Sequence, residues 1–289
     1  MTLVVVVLSV SIVLTVLAYG LNASRSELGH LVRRPHLLIV SLLSMFVLMP
    51  VLAILAIYVV DAPTATKIAV VALALSPVPT LVARKQLFSG ERARFAVSLT
   101  VFSSAAAIVL APTMAALVSA ILGERVSVSP ASLALRVAAF ILAPLALGLA
   151  VRRWRPELAQ RLRSPVLRVS QVMLALAVVA LAVATIDEIL AAAAPSTLAL
   201  MLLFVLAGIG VAHLALPGRR DEAHVLATVN FSRHPAIAIG IAAASYPELE
   251  FAAVILLYVL VSAAAAAVYR WLVERRQPTE MSARSATRS

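Results

Sequence analysis

The chain has 289 residues, a formal net charge of +11 and a mean hydropathy of +1.04, with 63% hydrophobic and 13% charged residues. A soluble globular domain does not have this composition, so a membrane protein is predicted. The chain contains no cysteine, which excludes disulfides, thiolate metal sites and thiol nucleophiles. The basic residues form short clusters between apolar runs, a pattern typical of membrane topology and not of a nucleic-acid interface.

Apolar runs recur along the whole chain, and each approaches the roughly 20 residues that a helix needs to cross about 30 Å of hydrocarbon. The predicted spans are 3–21, 36–59, 65–88, 94–121, 130–151, 167–187, 196–216, 222–246 and 250–273. The first run could also be a signal peptide, but no basic region precedes it and no small-residue cleavage site follows before Arg25. We therefore interpret it as a retained helix and predict an all-α polytopic membrane protein with nine transmembrane helices.

The charges of the connecting loops predict the orientation. Alternate loops collect the basic residues, namely Arg25, Arg33 and Arg34; Arg84, Lys85, Arg92 and Arg94; Arg152, Arg153, Arg155, Arg161 and Arg163; Arg219 and Arg220; Arg275 and Arg276. The positive-inside rule makes these loops cytoplasmic, with the N-terminus outside and the C-terminus inside. The Ala-, Val- and Arg-rich composition is typical of a bacterial inner membrane. The polar tail 277–289 is predicted to be disordered.

Prolines interrupt two spans at matching places. Pro77 and Pro79 lie in the middle of the third span, and Pro235 lies in the eighth, roughly 157 residues later. The first four spans (3–121) thus correspond to the last four (167–273), and the linking helix 130–151 makes the second set enter from the opposite face. An inverted repeat with one broken helix in each half is typical of secondary transporters. The alternative is that the prolines merely kink two helices.

The second break carries charge. Arg233 is costly in lipid, so it is expected to face a water-filled cavity or an anion, with a backbone carbonyl or snorkelling as the alternative. His234 could relay protons or be an ordinary hydrogen-bonded residue. No carboxylate lies at mid-depth, so a sodium site would have to use hydroxyls and carbonyls. Trp154, Trp271, Tyr258 and Tyr269 are interpreted partly as interface anchors.

Several motifs together resemble the bile acid:sodium symporter family. They are Arg34-Pro35, Phe46-Val-Leu-Met-Pro50, Pro77 followed by Gly90 and Ser98-Leu-Thr100, Ala111-Pro112, and Ser232-Arg-His-Pro-Ala-Ile-Ala238. The resemblance implies the crossed-helix arrangement of NhaA-like transporters, with a panel domain of spans 1, 5 and 6 and a core domain of spans 2–4 and 7–9. It also implies that the two broken helices cross in the core and that substrate binds between panel and core.

The sodium ligands implied by the resemblance are largely replaced. Val82, Ala83 and Ala96 stand where the family has Ser, Asn and Ser, while Thr228, Ser232 and Arg233 stand where it has Glu, Gln and Asn. We therefore predict a secondary transporter of a small organic anion, in which Arg233 supplies the positive charge of the missing cation. The predicted substrate-binding residues are Arg233, His234, Asn230, Ser232, Pro77, Pro79 and Thr80.

The sequence leaves two other functions open and disfavours a third. One is a sodium-dependent symporter with a weak site built from Thr100, Thr228 and Ser232, with help from Asn230 and backbone carbonyls. Another is a membrane sensor or partner protein that does not transport. A membrane enzyme is disfavoured, because the spans contain no nucleophile with a base, no paired acids and no metal cluster. No metal and no cofactor other than sodium is implied, and the lipid bilayer is the expected partner.

Overall fold

The protein is all-helical wherever its structure is described. The computed structural model describes residues 2–23, 25–76, 90–122, 135, 138–246 and 249–286. Its α-helices are α1 (Thr2–Asn22), α2 (Arg25–Val32), α3 (Pro35–Leu43), α4 (Met49–Val59), α5 (Thr64–Leu75), α6 (Gly90–Leu122), α7 (Ala143–Trp154), α8 (Pro156–Ala184), α9 (Ile186–Ala192), α10 (Pro195–Ala215), α11 (Arg220–Phe231), α12 (Pro235–Ser245) and α13 (Ala252–Ala286). Two π-helical turns, Ser44–Leu48 and Ala138–Leu142, precede α4 and α7.

Four helical segments of the described chain are long and apolar enough to cross a membrane. They are Pro35–Val59, which joins α3, the π turn and α4, then Pro156–Ala184, Pro195–Ala215 and Ala252–Arg275. Ser9–Asn22, Thr64–Leu75 and Arg94–Ala107 are shorter apolar helices. Since water is absent from the bilayer core, helices that satisfy their own backbone groups are the expected solution for such segments. The protein is a multi-pass membrane protein, and the count of nine spans stays a prediction.

Helices α1, α7 and α8 form a three-helix group. Gly20 of α1 meets Gly148 of α7, where a Cβ atom added to Gly148 would lie 2.5 Å from the Leu17 carbonyl oxygen and 2.8 Å from the Gly20 Cα. Only glycine permits this approach, which brings the two backbones into direct contact as in other membrane helix pairs. The contact fixes how far α1 and α7 are shifted along each other's axes.

The remaining long helices pack around the point where the helix is interrupted, between α11 and α12. Helix α11 lies against α10 and α6, while α12 lies against α5 and α13. Helix α11 ends at Phe231 and α12 begins at Pro235, whose fixed φ suits the first position of a helix. Ser232 and His234 between them are extended, with ψ of 97° and 109°. The eighth predicted span is therefore two half-helices, as Pro235 indicates.

The third predicted span is described only as far as Ser76. The rest of this span, including Pro77, Pro79 and Thr80, lies outside the described residues, so the first predicted break is seen only up to the end of α5.

Near the C-terminus, α13 continues to Ala286. The structure thus has helix over residues 277–286, where the polar composition predicts disorder.

Candidate functional site

A buried arginine joins three helical elements at the break. Arg233 is 3% exposed, and its Nε donates to the Asn230 carbonyl at 2.8 Å. Nη1 donates to the Ser76 carbonyl at 3.2 Å, and Nη2 donates to the Met45 carbonyl at 3.2 Å. The three acceptors belong to the end of α11, the end of α5 and the π turn. The guanidinium thus ties together segments that are 157 and 188 residues apart in the chain.

Two of these carbonyls are available because a helix ends there. Ser76 follows the last residue of α5, and Asn230 lies in the last turn of α11, so neither oxygen has an intrahelical donor. The amide of residue 234, which would have bonded Asn230 in a continuous helix, instead donates to the Ser76 hydroxyl. The C-terminal ends of helices carry partial negative charge, which favours a cation. Arg233 therefore lies at the negative, C-terminal ends of the α5 and α11 dipoles.

The third carbonyl is freed by a proline. In the π turn the Met49 amide donates to the Ser44 carbonyl, five residues earlier. The next donor in this register would be residue 50, but Pro50 has no N–H to give to Met45. The Met45 oxygen accepts from Arg233 instead. Pro50 thus has a function in the site that its place in the sequence motif alone does not reveal.

The backbone of His234 connects the break between α11 and α12 to the end of α5. The Ser76 hydroxyl donates to the His234 carbonyl at 2.9 Å and accepts from the His234 amide at 3.0 Å. The side chain caps α12, since Nδ1 accepts from the Ile237 amide at 3.3 Å. A neutral imidazole that accepts at Nδ1 carries its proton on Nε2. Nε2 is buried and has no hydrogen-bond partner within the described chain, and the same holds for the Ser232 hydroxyl.

Asn230 has a structural function. Its Nδ2 donates to the Ser44 hydroxyl at 2.8 Å and to the Gly208 carbonyl of α10 at 3.1 Å, and its Oδ1 accepts from Ser44 at 3.1 Å. The side chain is fully buried. These bonds connect α11 with α10 and with the π turn that also bonds Arg233. Both amide hydrogens of Asn230 are occupied, so in this arrangement it positions the break and has no N–H left for a ligand.

Tyr258 belongs to the same site, and its interpretation as an interface anchor was wrong. Its ring is fully buried, and its hydroxyl donates to the Phe231 carbonyl, the last of α11. Tyr269 is also buried, at 8% exposure, with its hydroxyl 2.6 Å from His213 Nε2. An apolar run with one tyrosine is compatible with either location. Only the fold shows that α13 turns these rings inward, towards polar partners.

Two of the three hydroxyls in the predicted weak cation site, those of Thr100 and Thr228, are turned towards their own helices. Thr100 Oγ1 donates to the Ala96 carbonyl at 2.8 Å, and Thr228 Oγ1 donates to the His224 carbonyl at 3.0 Å. Such bonds to the preceding turn are common for threonine in membrane helices. Each hydroxyl retains lone pairs. A cation site that includes Thr100, Thr228 and Ser232 stays a prediction.

The fold and the break together define a multi-pass helical membrane protein with a buried cation at an interrupted helix. The sequence profile of the Sodium Bile acid symporter family matches residues 9–192, more than half of the chain. The chain therefore belongs to this family of membrane transporters. A comparison with curated proteins finds no match. The matched residues include Met45, Pro50 and Ser76 but end before α11 and α12, so Arg233 and its neighbours lie beyond the profile.

Proposed function

We propose that the protein is a secondary transporter of a small organic anion in which Arg233 takes the place of a coupling sodium ion. The observation that carries the proposal is the guanidinium bound to three backbone carbonyls from three helical elements. Carbonyl oxygens at broken helix ends are the kind of ligand that sodium uses in transporters. Here a cation that belongs to the chain occupies such oxygens.

A tethered cation changes the energetics of the cycle. A sodium ion that binds with substrate and dissociates inside contributes the free energy of its gradient, whereas Arg233 remains with the protein in every state. The carrier would therefore work by uniport, exchange or proton coupling. The departures from the family's sodium-ligand pattern at Thr228, Ser232 and Arg233 are consistent with this proposal.

The same residues favour an anionic substrate. A guanidinium has five N–H donors, and three of those of Arg233 are used within the described chain. The Nε2–H of His234 and the hydroxyl of Ser232 are further buried donors in the adjacent residues. Helix α12 begins here, and its first amides favour negative charge. A carboxylate is the simplest substrate group that such donors recognise.

The remaining topology forms part of the proposal. Nine spans in an inverted repeat, with the N-terminus outside and the C-terminus in the cytoplasm of a bacterial inner membrane, are supported by the alternation of loop charge. The three-helix group of α1, α7 and α8 would be the panel against which the other helices move. Substrate would bind beside the break, between these two units.

One observation favours a second candidate function. The Ser232 hydroxyl is buried and without a partner in the described residues, which leaves an oxygen free to ligate a cation. Together with Thr100 and Thr228 it would form the weak site of a sodium-dependent symporter of organic anions. A membrane sensor or partner protein that does not transport is the third candidate.

The test uses the purified protein and a panel of monocarboxylates and dicarboxylates, in sodium and in potassium buffer. Binding to the native state raises the melting temperature by mass action, so the stabilising anion identifies the substrate class. Uptake of that anion into proteoliposomes is then compared for the wild type, Arg233→Ala, Arg233→Lys and the exposed control Arg94→Ala. We expect equal stabilisation and uptake in both salts, loss of both in Arg233→Ala and no change in Arg94→Ala.

Two results would contradict the proposal. Uptake that requires a sodium gradient would favour the symporter, with Thr228→Val and Ser232→Ala as the variants that should then abolish it. Absence of anion stabilisation and of flux in a folded wild-type protein would favour the sensor. Arg233→Lys serves as a folding control, because it keeps the charge while losing the planar fork.

A further inference from the structure

Five arginines surround the junction of α7 and α8, and we call them the arginine rim: Arg152, Arg153, Arg155, Arg161 and Arg163. Glu157 is the one acidic residue in this stretch of sequence. Within the described chain, no rim arginine has a carboxylate within 4 Å. By contrast, Arg34, Arg92 and Arg219 near α11 are each paired with Asp221 or Glu222. The rim therefore holds a positive charge that the described protein does not neutralise.

Helix α1 gives the height of the rim relative to the bilayer. The helix carries no charged residue up to its last residue, so this end lies at the edge of the hydrocarbon layer. Its last residue, Asn22, accepts a hydrogen bond from Arg163 Nη1 at 3.3 Å. Gly148 touches Gly20 near the same end, and Arg152 is one turn further along α7. All of the rim thus lies at or beyond the end of α1, at the level of the lipid headgroups.

A stripe of exposed apolar side chains continues along α8 to the level of the rim. Exposed apolar residues follow each other along α8 at intervals that return to one helix face: Leu158, Leu162, Val169, Val172, Leu176, Val179 and Val183. From Leu158 to Val183 the stripe is about 38 Å long, close to the 40 to 45 Å of a bilayer with its headgroups. Trp154 is 76% exposed beside it, as expected of an aromatic ring at the interface.

We propose that the arginine rim binds the phosphates of anionic phospholipids. Guanidinium groups recognise phosphate by paired N–H donors, and clusters of basic residues at a membrane surface attract anionic lipids. The exposed Leu158, Leu162 and Trp154 would contact the acyl chains and glycerol region of the same lipids. A soluble phosphate would satisfy the arginines but leave these apolar groups uncovered. The proposal depends on membrane insertion and is independent of what the protein transports.

The experiment compares two charge-matched variants of the full chain in detergent micelles. Arg153→Gln with Arg161→Gln removes one exposed rim arginine from each helix. Arg33→Gln with Arg94→Gln removes two exposed arginines that have no described carboxylate partner and lie elsewhere. Each protein is titrated with phosphatidylglycerol, with phosphatidylcholine and with inorganic phosphate. The readouts are the melting temperature and the number of lipids retained in native mass spectrometry.

We expect phosphatidylglycerol to raise the melting temperature of the wild type, with phosphatidylcholine and inorganic phosphate having little effect. Each basic residue at an anionic surface strengthens binding about fivefold, so loss of two rim arginines should weaken the binding of phosphatidylglycerol about 25-fold. The control variant should lose clearly less affinity than the rim variant, because Arg33 and Arg94 do not belong to the rim cluster. Equal weakening in both variants would show a dependence on net charge alone and would overturn the proposal. An unchanged rim variant, or full replacement of the lipid by inorganic phosphate, would also overturn it.

Discussion

Arg233 and the arginine rim place the same guanidinium group in opposite environments. Arg233 is buried and bound to three carbonyls, whereas Arg153, Arg155 and Arg161 are exposed and have no carboxylate partner in the described chain. Neither place uses the usual acidic partner of an arginine. The buried cation is compensated by helix ends, and the exposed ones depend on water and lipid. With 13 acidic residues against 24 basic ones, at least 11 cations of this chain must be compensated without a carboxylate of their own.

Removing the buried cation should have the largest effect. Arg233→Ala takes the donors from three buried carbonyls at once, so we expect the free energy of unfolding to fall by about 3 to 5 kcal/mol. Arg94→Ala, at an exposed position, should change it by less than about 0.5 kcal/mol. Denaturant or thermal unfolding of the purified proteins measures both. Similar small losses in the two variants would show that the carbonyls are satisfied without Arg233.

The same variant tests whether the guanidinium occupies a cation position. If the three carbonyls can hold a small ion, then Arg233→Ala should be more stable in sodium chloride than in choline chloride, while the wild type should not discriminate. Melting curves at matched ionic strength give the answer. An equal response of both proteins to the two salts would mean that the carbonyl cluster accepts a guanidinium but not a metal ion.

The glycine contact that sets the height of the rim should show the next largest effect. Gly148→Ala would place a Cβ atom 2.5 Å from the Leu17 carbonyl oxygen, so α1 and α7 must separate. We expect a loss of about 1 to 3 kcal/mol, as for other overpacked sites. Gly210→Ala is the matched control, because nothing lies within 4 Å of its added Cβ. It should be neutral or stabilising by up to about 1 kcal/mol, since alanine favours helix. Equal effects would show that the glycine pair is not a tight contact.

The local part of the site could be predicted from sequence, and the long-range part could not. Pro235 indicates the interruption after α11 because its chemistry acts on the adjacent turn. Arg233 in an apolar run needs a partner, and both an anion and a backbone carbonyl were weighed. The structure contains the carbonyl contacts, while the anion remains a proposal. The identity of the acceptors was inaccessible, since Ser76 and Met45 are 157 and 188 residues away.

The same limit applies to Asn230 and Tyr258. Asn230 is predicted to bind substrate, and this stays a prediction, but the sequence does not reveal that its amide hydrogens bond Ser44 and Gly208. Tyr258 was predicted to lie at the interface, but it completes the end of α11. A polar residue in an apolar span indicates that some partner exists. Which face of the helix it occupies, and what lies opposite, depends on packing between distant segments.

Tyr258→Phe should change the free energy of unfolding least. It compares a neutral hydrogen bond with a charged one at the same end of α11. Tyr258 serves the Phe231 carbonyl and Arg233 serves the adjacent Asn230 carbonyl. Loss of one neutral hydrogen bond should cost about 1 kcal/mol, against several for the cation. Tyr58→Phe, at an exposed ring, should be silent. The double variant of Arg233 and Tyr258 then measures their coupling. Additive losses would mean two independent caps. If the double variant loses less stability than the sum of the two single losses by more than about 1 kcal/mol, then the end of α11 frays once either cap is removed. Arg233 and Tyr258 would then stabilise this helix end together.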